Sequence, residues 1–425
     1  MSGQKKVGTS GRDRHSGRAQ GLTATTVPGE TLVSRRRALT ALGTGLALLA
    51  RPRLAESAAP REAVASPPHQ RYARLTRGLN ASLWYDWLPA DPQDMRNHIT
   101  GKFTTLDFAQ MLSLGFSHIR IPIQPDWLAP RLGSDDPSLD GNSLELLDDG
   151  LSRALGSGLA VVLDCQASPD LKARISASAS LRHAMVEWWR NLADHVANHG
   201  QYHPEWTFLE LFNEPGLAFA TPLAYRAFAE DAIRAIREKA PQYTIVVGGP
   251  QWGSAEDLFR QLRTPIAHDN LIYSFHFYKP IQFTHQGAAW ASREYGLLHD
   301  LPWDVDRGFL SPQQVAGYDP AVQDIVRSYN GEDHRKWSLA WAFTELAKWS
   351  ETHGQRVWLG EFGVWRSAVR PEHRVAWIRD VRELAEEHGF GWCLWEAVGA
   401  FGLFLPGDSR PRMADPAVLA ALGLN

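Results

Sequence analysis

Thr207-Phe208-Leu209-Glu210-Leu211-Phe212-Asn213-Glu214-Pro215 is an apolar run that ends in a carboxylate and a proline. Such a run reads as a buried strand, and Pro215, with no N–H to give, stops its ladder. Arg356-Val357-Trp358-Leu359-Gly360-Glu361-Phe362-Gly363 has the same form. Each stretch delivers one glutamate to the C-terminal end of an apolar strand. Outward from these two, strand patterns recur at 75–81, 118–123, 159–165, 208–212, 244–249, 271–277, 357–362 and 391–395. Helical periodicity fills intervals at 106–114, 144–155, 181–197, 224–239, 337–350 and 371–387. A last helix is expected to start at Asp415-Pro416, with Asp as cap and Pro at the first helical position.

Eight strand–helix repeats whose strands are apolar throughout predict an α/β fold, a (β/α)8 TIM barrel forming a single catalytic domain. A barrel enzyme carries its site at the C-terminal strand ends. Asn80, Arg120, Asp164, Asn213, Glu214, Trp252, His276, Tyr278, Glu361 and Trp395 all fall there. An open doubly wound sheet is the other fold considered, but no Gly-rich phosphate turn follows the first strand. The connection from Pro280 to Arg356 is long enough to be a lid or a helical elaboration of the rim, and its aromatics are expected near the cleft.

The net charge of −3 gives no global attraction to nucleic acid or an anionic membrane. Seventeen tryptophans exceed what one core needs and suit a sugar-binding cleft, where flat rings stack on pyranose faces. Cys165 and Cys393 read as small buried hydrophobes rather than a disulfide framework. Residues 1–33 read as a disordered tail or a misassigned start, with translation beginning near Leu32 or Val33. Residues 34–59 run from Arg35-Arg36-Arg37 through a weakly apolar stretch to small residues. That order resembles a twin-arginine signal peptide, too short for a membrane span, so a periplasmic or secreted location is expected. Residues 60–73 read as a linker, and 74–425 as the barrel.

Two carboxylates facing each other across a barrel mouth point to glycosidic bond hydrolysis. Glu214 is assigned the acid/base role, with a raised pKa, and Glu361 that of an ionised nucleophile. Arg120 and Tyr278 are placed to orient Glu361. The Asn213 amide would bind the sugar 2-OH, and Trp395 would floor the subsite of the reacting sugar. His276, two residues before Tyr278, is read into the site. Trp84, Trp87, Trp127, Trp252 and Trp365 are candidate platforms, and at least one of Trp188 and Trp189 is core. Glu210, mid-strand, is given no catalytic role. His195 and His199 have the i, i+4 spacing of a helix metal pair but lack a zinc-protease glutamate, so they read as a solvated face.

Taken in order, Asn213-Glu214-Pro215, His276-Phe277-Tyr278, the stretch from Trp358 to Gly363, and Trp395 resemble the signature set of glycoside hydrolase family 5, the cellulase family. Arg120 fits the arginine expected on its second strand, and the likeness spans about Gly78 to Phe404. The resemblance implies a (β/α)8 barrel, retaining hydrolysis of β-linked glycans, no metal and no cofactor. Gln166 stands where the family usually has histidine; it can hydrogen-bond a sugar but does not titrate. The expected activity is that of an endo-β-1,4-glucanase on β-glucan, acting as a monomer with no nucleic-acid partner. β-Mannan, β-1,3-glucan or a trimmed exopolysaccharide are alternative substrates. A non-catalytic glycan-binding barrel and an accessory subunit of a polysaccharide-secretion machine are alternative functions.

Overall fold

The computed structural model describes residues 69–407 and 409–424; the expected leader, signal and most of the linker lie outside the described residues. Eight strands form a closed barrel in chain order: β1 (Arg77–Asn80), β2 (His118–Ile123), β3 (Ala160–Cys165), β4 (Thr207–Glu210), β5 (Thr244–Gly248), β6 (Leu271–Phe277), β7 (Arg356–Phe362) and β8 (Gly391–Leu394). Every neighbouring pair is parallel, and β1 closes on β8. The strands are apolar on both faces because both are covered. Ala160, Val162, Phe208, Val246, Ile272, Trp358 and Cys393 fill the interior, while alternate residues such as Val161, Leu163, Leu209 and Leu359 join the core beneath the helices. The two cysteines are buried free thiols in different clusters, Cys165 outside the barrel and Cys393 inside it.

Residues 69–73, assigned above to the linker, belong to the barrel. His69–Tyr72 is a helical turn that continues as a 3-10 turn, Ala73–Leu75. Tyr72 and Leu75 join the interior cluster. The Tyr72 hydroxyl donates to the Val357 carbonyl at 2.6 Å and accepts from the Gly391 N–H at 3.2 Å, tying this turn to β7 and β8.

Strand β4 ends at Glu210, short of Phe212. Beyond it single hydrogen bonds alternate partners: Leu211 N–H to Val246 O, then Asn213 N–H to Cys165 O, both 3.0 Å. The helices Pro92–Lys102 and Pro169–Ala177 carry little apolar periodicity, the first burying only Ile99, so pattern reading misses them. Their start signals are nonetheless written in the chain as Asp91-Pro92 and Ser168-Pro169, and both caps are made. Asp415 caps Pro416–Ala421 as expected.

The β6–β7 connection is an elaboration packed on the rim, with short helices at Ile281–Thr284, Arg293–Leu297, Pro312–Ala316 and Gln323–Asn330. Trp303 is its buried anchor, donating to Asp380 at 2.9 Å, and Gln286 and Leu301 exchange hydrogen bonds. Its His285 and Trp290 line the cleft at the mouth.

The close fit of the N-terminal turn is testable. A Cβ on Gly391 would lie 1.8 Å from the Leu75 carbonyl oxygen, against backbone that cannot swing aside. Gly391→Ala is expected to cost about 1–3 kcal/mol in denaturant unfolding. Gly101→Ala, in a helix with nothing within 4 Å of the new methyl, should gain a fraction of that.

Candidate active site

The site is built on Arg120, which β2 points into the barrel and which is 0% exposed. Its Nε donates to Glu210 Oε2 at 2.6 Å; Nη1 donates to Asn80 Oδ1 at 3.0 Å and Glu361 Oε1 at 2.7 Å; Nη2 donates to Asn213 Oδ1 at 2.9 Å. Nη2 also lies 3.2 Å from Asp164 Oδ2. Burial works against the guanidinium charge, but Asp164, Glu210 and Glu361 outweigh it and hold Arg120 protonated. Burial pushes the Asp164 carboxyl well above the usual carboxylate range, and the charges of Glu210 and Glu361 add to that against Arg120. Arg120 does not line the cleft; it reaches Glu361 from beneath the floor.

Glu361, at the end of β7, lies at the bottom of the cleft with both oxygens held. Arg120 grips Oε1, and the Tyr278 hydroxyl donates to Oε2 at 2.9 Å. Glu214 stands higher on the wall, its side chain 25% exposed against 6% for Glu361. Its backbone is left-handed, φ 42° and ψ 69°, a costly conformation for a non-glycine residue. The Lys172 ammonium, from the helix after β3, donates to its carbonyl at 2.8 Å. His276 Nδ1 bonds Glu214 Oε1 at 2.9 Å and lies 3.5 Å from Glu361 Oε2.

The protonation directions reverse the expectation from sequence. Burial raises the Glu214 carboxyl, but the His276 hydrogen bond and the charges of His276, Lys172 and Arg120 outweigh it, so Glu214 lies below its ordinary value. Burial raises Glu361 despite the charges of His276 and Arg120, and the Glu214 charge adds to the rise. The physical reason is position: Glu361 is the deeper group, and Glu214 has a proton carrier beside it. His276 is pulled down by burial and raised past its ordinary value by Glu361 and Glu214. One hydrogen bond thus joins a carboxyl shifted toward its ionised form and an imidazole shifted toward its protonated form.

A cleft of 1110 Å³ runs over these groups. Asn213, Glu214, His276, Tyr278, Glu361, Trp395, Gln166 and Trp252 all line it. Gln166 presents a buried Oε1 with no protein partner. Trp252 is 55% exposed. Trp84 and Trp127 are core residues, Trp365 packs behind Trp290 and Phe401, and Trp87 is exposed away from this cleft. Trp188 and Trp189 are both buried.

Donor atoms of Glu214, His276 and Glu361 lie within 4.8 Å of one another, a spacing open to a divalent cation. His195 and His199 are not a solvated face: both turn to Asp148, at 2.9 and 3.4 Å, and are partly buried.

Two contributors were not legible in the sequence. Lys172 is buried at 7% exposure, but a lysine in a polar helix carries no signal of that. Glu396 anchors the loop that presents Trp395: its carboxylate takes the Ser82 hydroxyl and the Phe401 N–H, and the next N–H, of Ala397, reaches Asn80 O at 2.9 Å. Burial raises the Glu396 carboxyl to about 7.

Residues 90–400 match the sequence pattern of the family described as cellulase (glycosyl hydrolase family 5). The chain is 28% identical over 354 residues to Endoglucanase 3 of Fibrobacter succinogenes, covering 77% of this chain and 50% of that protein. It is 26% identical over 327 residues to Endoglucanase C of Acetivibrio thermocellus, covering 73% and 88%. The chain thus spans about half the length of the first relative and most of the second. Among solved structures, an endoglucanase of the hyperthermophilic Thermotoga maritima superposes with a TM-score of 0.64 at 24% identity, covering 84% of this chain and 99% of that one. The cellulose synthase subunit Z of Clostridioides difficile gives the same score and identity, covering 82% and 99%. At that identity the likeness shows the barrel fold.

Glu396 yields a pH test. Its folded pKa is raised above the ordinary 4.5. Between those values the unfolded chain releases a proton that the folded protein keeps. The Glu396 contribution to stability therefore falls as pH rises from about 4.5 to about 7 and is flat above. Glu396→Gln should remove this fall and raise the unfolding free energy at pH 8 by up to about 3 kcal/mol, read from denaturant curves across pH.

Proposed function

The chain belongs to the cellulase family, glycosyl hydrolase family 5, and from that premise we propose that it hydrolyses β-linked glucan with retention of anomeric configuration. The observation that carries this reading is the pair Glu214 and Glu361. One oxygen of each lies within 4.8 Å of the other, on the side of the shorter carboxylate spacing that retaining glycosidases use.

Glu361 is the nucleophile. Arg120 and Tyr278 hold both its oxygens, fixing its direction of attack on the anomeric carbon. The C–O bond to the leaving sugar breaks as the Glu361 ester forms. Glu214 supplies the proton to the departing oxygen, drawing on the imidazole of His276. Substrate expels water, and a charge-separated imidazolium–carboxylate pair is then less favoured than a neutral pair, which shifts the proton onto Glu214. Esterification removes the Glu361 charge that supported this proton. Glu214 is left as the base that takes a proton from water while the water's oxygen opens the ester.

Asn213 accepts from Arg120 through Oδ1, which leaves its amide N–H groups to the sugar 2-OH. Trp395 lies beneath the reacting sugar, and the Gln166 side chain lines the cleft beside it. The endoglucanase relatives and the open cleft support internal cleavage of β-1,4-glucan. The order of residues 34–59 supports export by the twin-arginine route, to the periplasm or beyond, and the barrel acts as a monomer.

The test is a product profile on carboxymethyl-cellulose, mixed-linkage β-glucan, β-1,3-glucan and mannan, with product anomers followed by NMR. Cleavage of the β-1,4-linked polymers into β-anomers is expected; initial α-anomers would overturn retention, and preference for mannan or β-1,3-glucan would reassign the substrate. Glu361→Gln should abolish turnover while glycan binding persists. Glu214→Gln should lower kcat about 10²- to 10⁴-fold, with the loss shrinking for aryl glycosides whose leaving group needs no proton. Lys172→Met removes a cation that holds Glu214 down, so the alkaline limb of the kcat/KM profile should move to higher pH. An unmoved limb would leave Lys172 a purely structural clamp.

A further inference from the structure

The helix Lys336–His353 buries Leu339, Ala342, Phe343, Leu346 and Trp349, so its packing face is complete without two other aromatics it carries. Trp337 is 62% exposed and Trp341 48%. Four residues apart, they share one helix face, about 6 Å apart along its axis. The helix runs antiparallel to the β7 strand that follows it, which puts its first turns at the barrel mouth.

The helix turn that carries the two rings borders the cleft. Ser338 and Leu339, on the same turn, line it, and so does Arg260. The Arg260 guanidinium carbon lies 4.9 Å from the Trp341 ring centroid, and Phe259 meets that ring edge-on at 5.6 Å. Trp341 is thus held in place yet half exposed. The nearest charge on the helix, Lys336, is neutralised by Glu383 and Glu387. The patch is aromatic, with its Trp341 ring held by Arg260 and Phe259, and it borders a cleft that already presents Trp252.

We propose that Trp337 and Trp341 form a surface binding site for a β-linked glucan chain, extending the cleft past its wall; this rests on the reading of the cleft as glucan-cleaving. The occupant follows from the chemistry. Pyranose rings of such glucans are neutral and offer flat C–H faces, which bury well on indole, and successive sugars along a chain meet successive rings. A chain held at this site feeds the cleft by local concentration, which helps a polymer but not a substrate too short to span both.

The test uses the full protein and the variant Trp337→Ala/Trp341→Ala. Both are run through native gels containing soluble β-glucan, and both are assayed on the polymer and on a short aryl cellobioside. Retention is expected to weaken roughly tenfold. Polymer kcat/KM should fall with it, while turnover of the short substrate stays unchanged. Retention equal to that of a wild type that is itself retained and active would overturn the surface site alone. Sedimentation showing a dimer that the variant lacks would assign the patch to a second copy instead. Equal losses on short and long substrates would place the defect in the catalytic centre and overturn the site too. A wild type that cleaves none of the β-glucans would overturn the reading of the cleft, and the surface site with it.

Discussion

A guanidinium with no access to water is the constraint on which the rest depends. A buried charge left unpaired costs several kcal/mol, so every donor direction of Arg120 has to be met. The acceptors come from β1 (Asn80), β4 and the residues after it (Glu210, Asn213), and β7 (Glu361), and β3 adds the Asp164 carboxyl 3.2 Å away. One side chain thus ties together five of the eight strands. A slip of β2 by one residue would turn Arg120 into the apolar helix layer and leave its acceptors facing each other. Barrel register and site geometry are therefore one condition. Below this ionic layer the interior holds His118 against Trp358 among apolar side chains and is sealed by Tyr72 and Leu75; above it the cleft opens.

The two glutamates differ because the fold gives them different neighbours. Glu361 ends a regular strand and is pinned at both oxygens. Glu214 follows the point where β4 leaves its ladder, and its left-handed backbone is held between Lys172 at its carbonyl and Pro215 after it. Gly216 N–H, bonded to Gln251 O at 2.8 Å, fastens the turn to the loop after β5. The strain sits where the chain must bring a carboxylate out of the sheet plane and over the cleft, and several elements share in holding it. His276 completes the pair from β6, its own N–H fixed to Gly253 O at 2.6 Å.

The same cleft has walls of different origin. Its floor comes from strand ends and is fixed by the barrel. Its far side comes from the β6–β7 elaboration, whose buried anchors Trp303 and Gln286 make it a rigid addition to the barrel. In the proposed reaction, substrate choice beyond the reacting sugar would lie with those added residues and the two-carboxylate chemistry with the strands.

By itself the sequence determined the eight strands, their order and the residues at their ends. Apolar runs of strand length with helical periodicity between them admit few folds, and a carboxylate closing such a run has one place to go. His118–Ile123, Leu271–Phe277 and Pro371–Glu387 stand where periodicity puts them, and Asp415 caps its helix as its neighbour Pro416 implies. Tertiary structure alone decided what those residues do to one another. That Arg120 lies under the floor, that Lys172 is buried, and that Trp84 packs while Trp252 stands open depend on which distant segments meet there. The opposite pKa shifts of the two glutamates arise in the same way. Their order along the chain is symmetric, a strand-end glutamate in each case, but depth and a neighbouring imidazole are properties of assembled space, and these set Glu214 below Glu361.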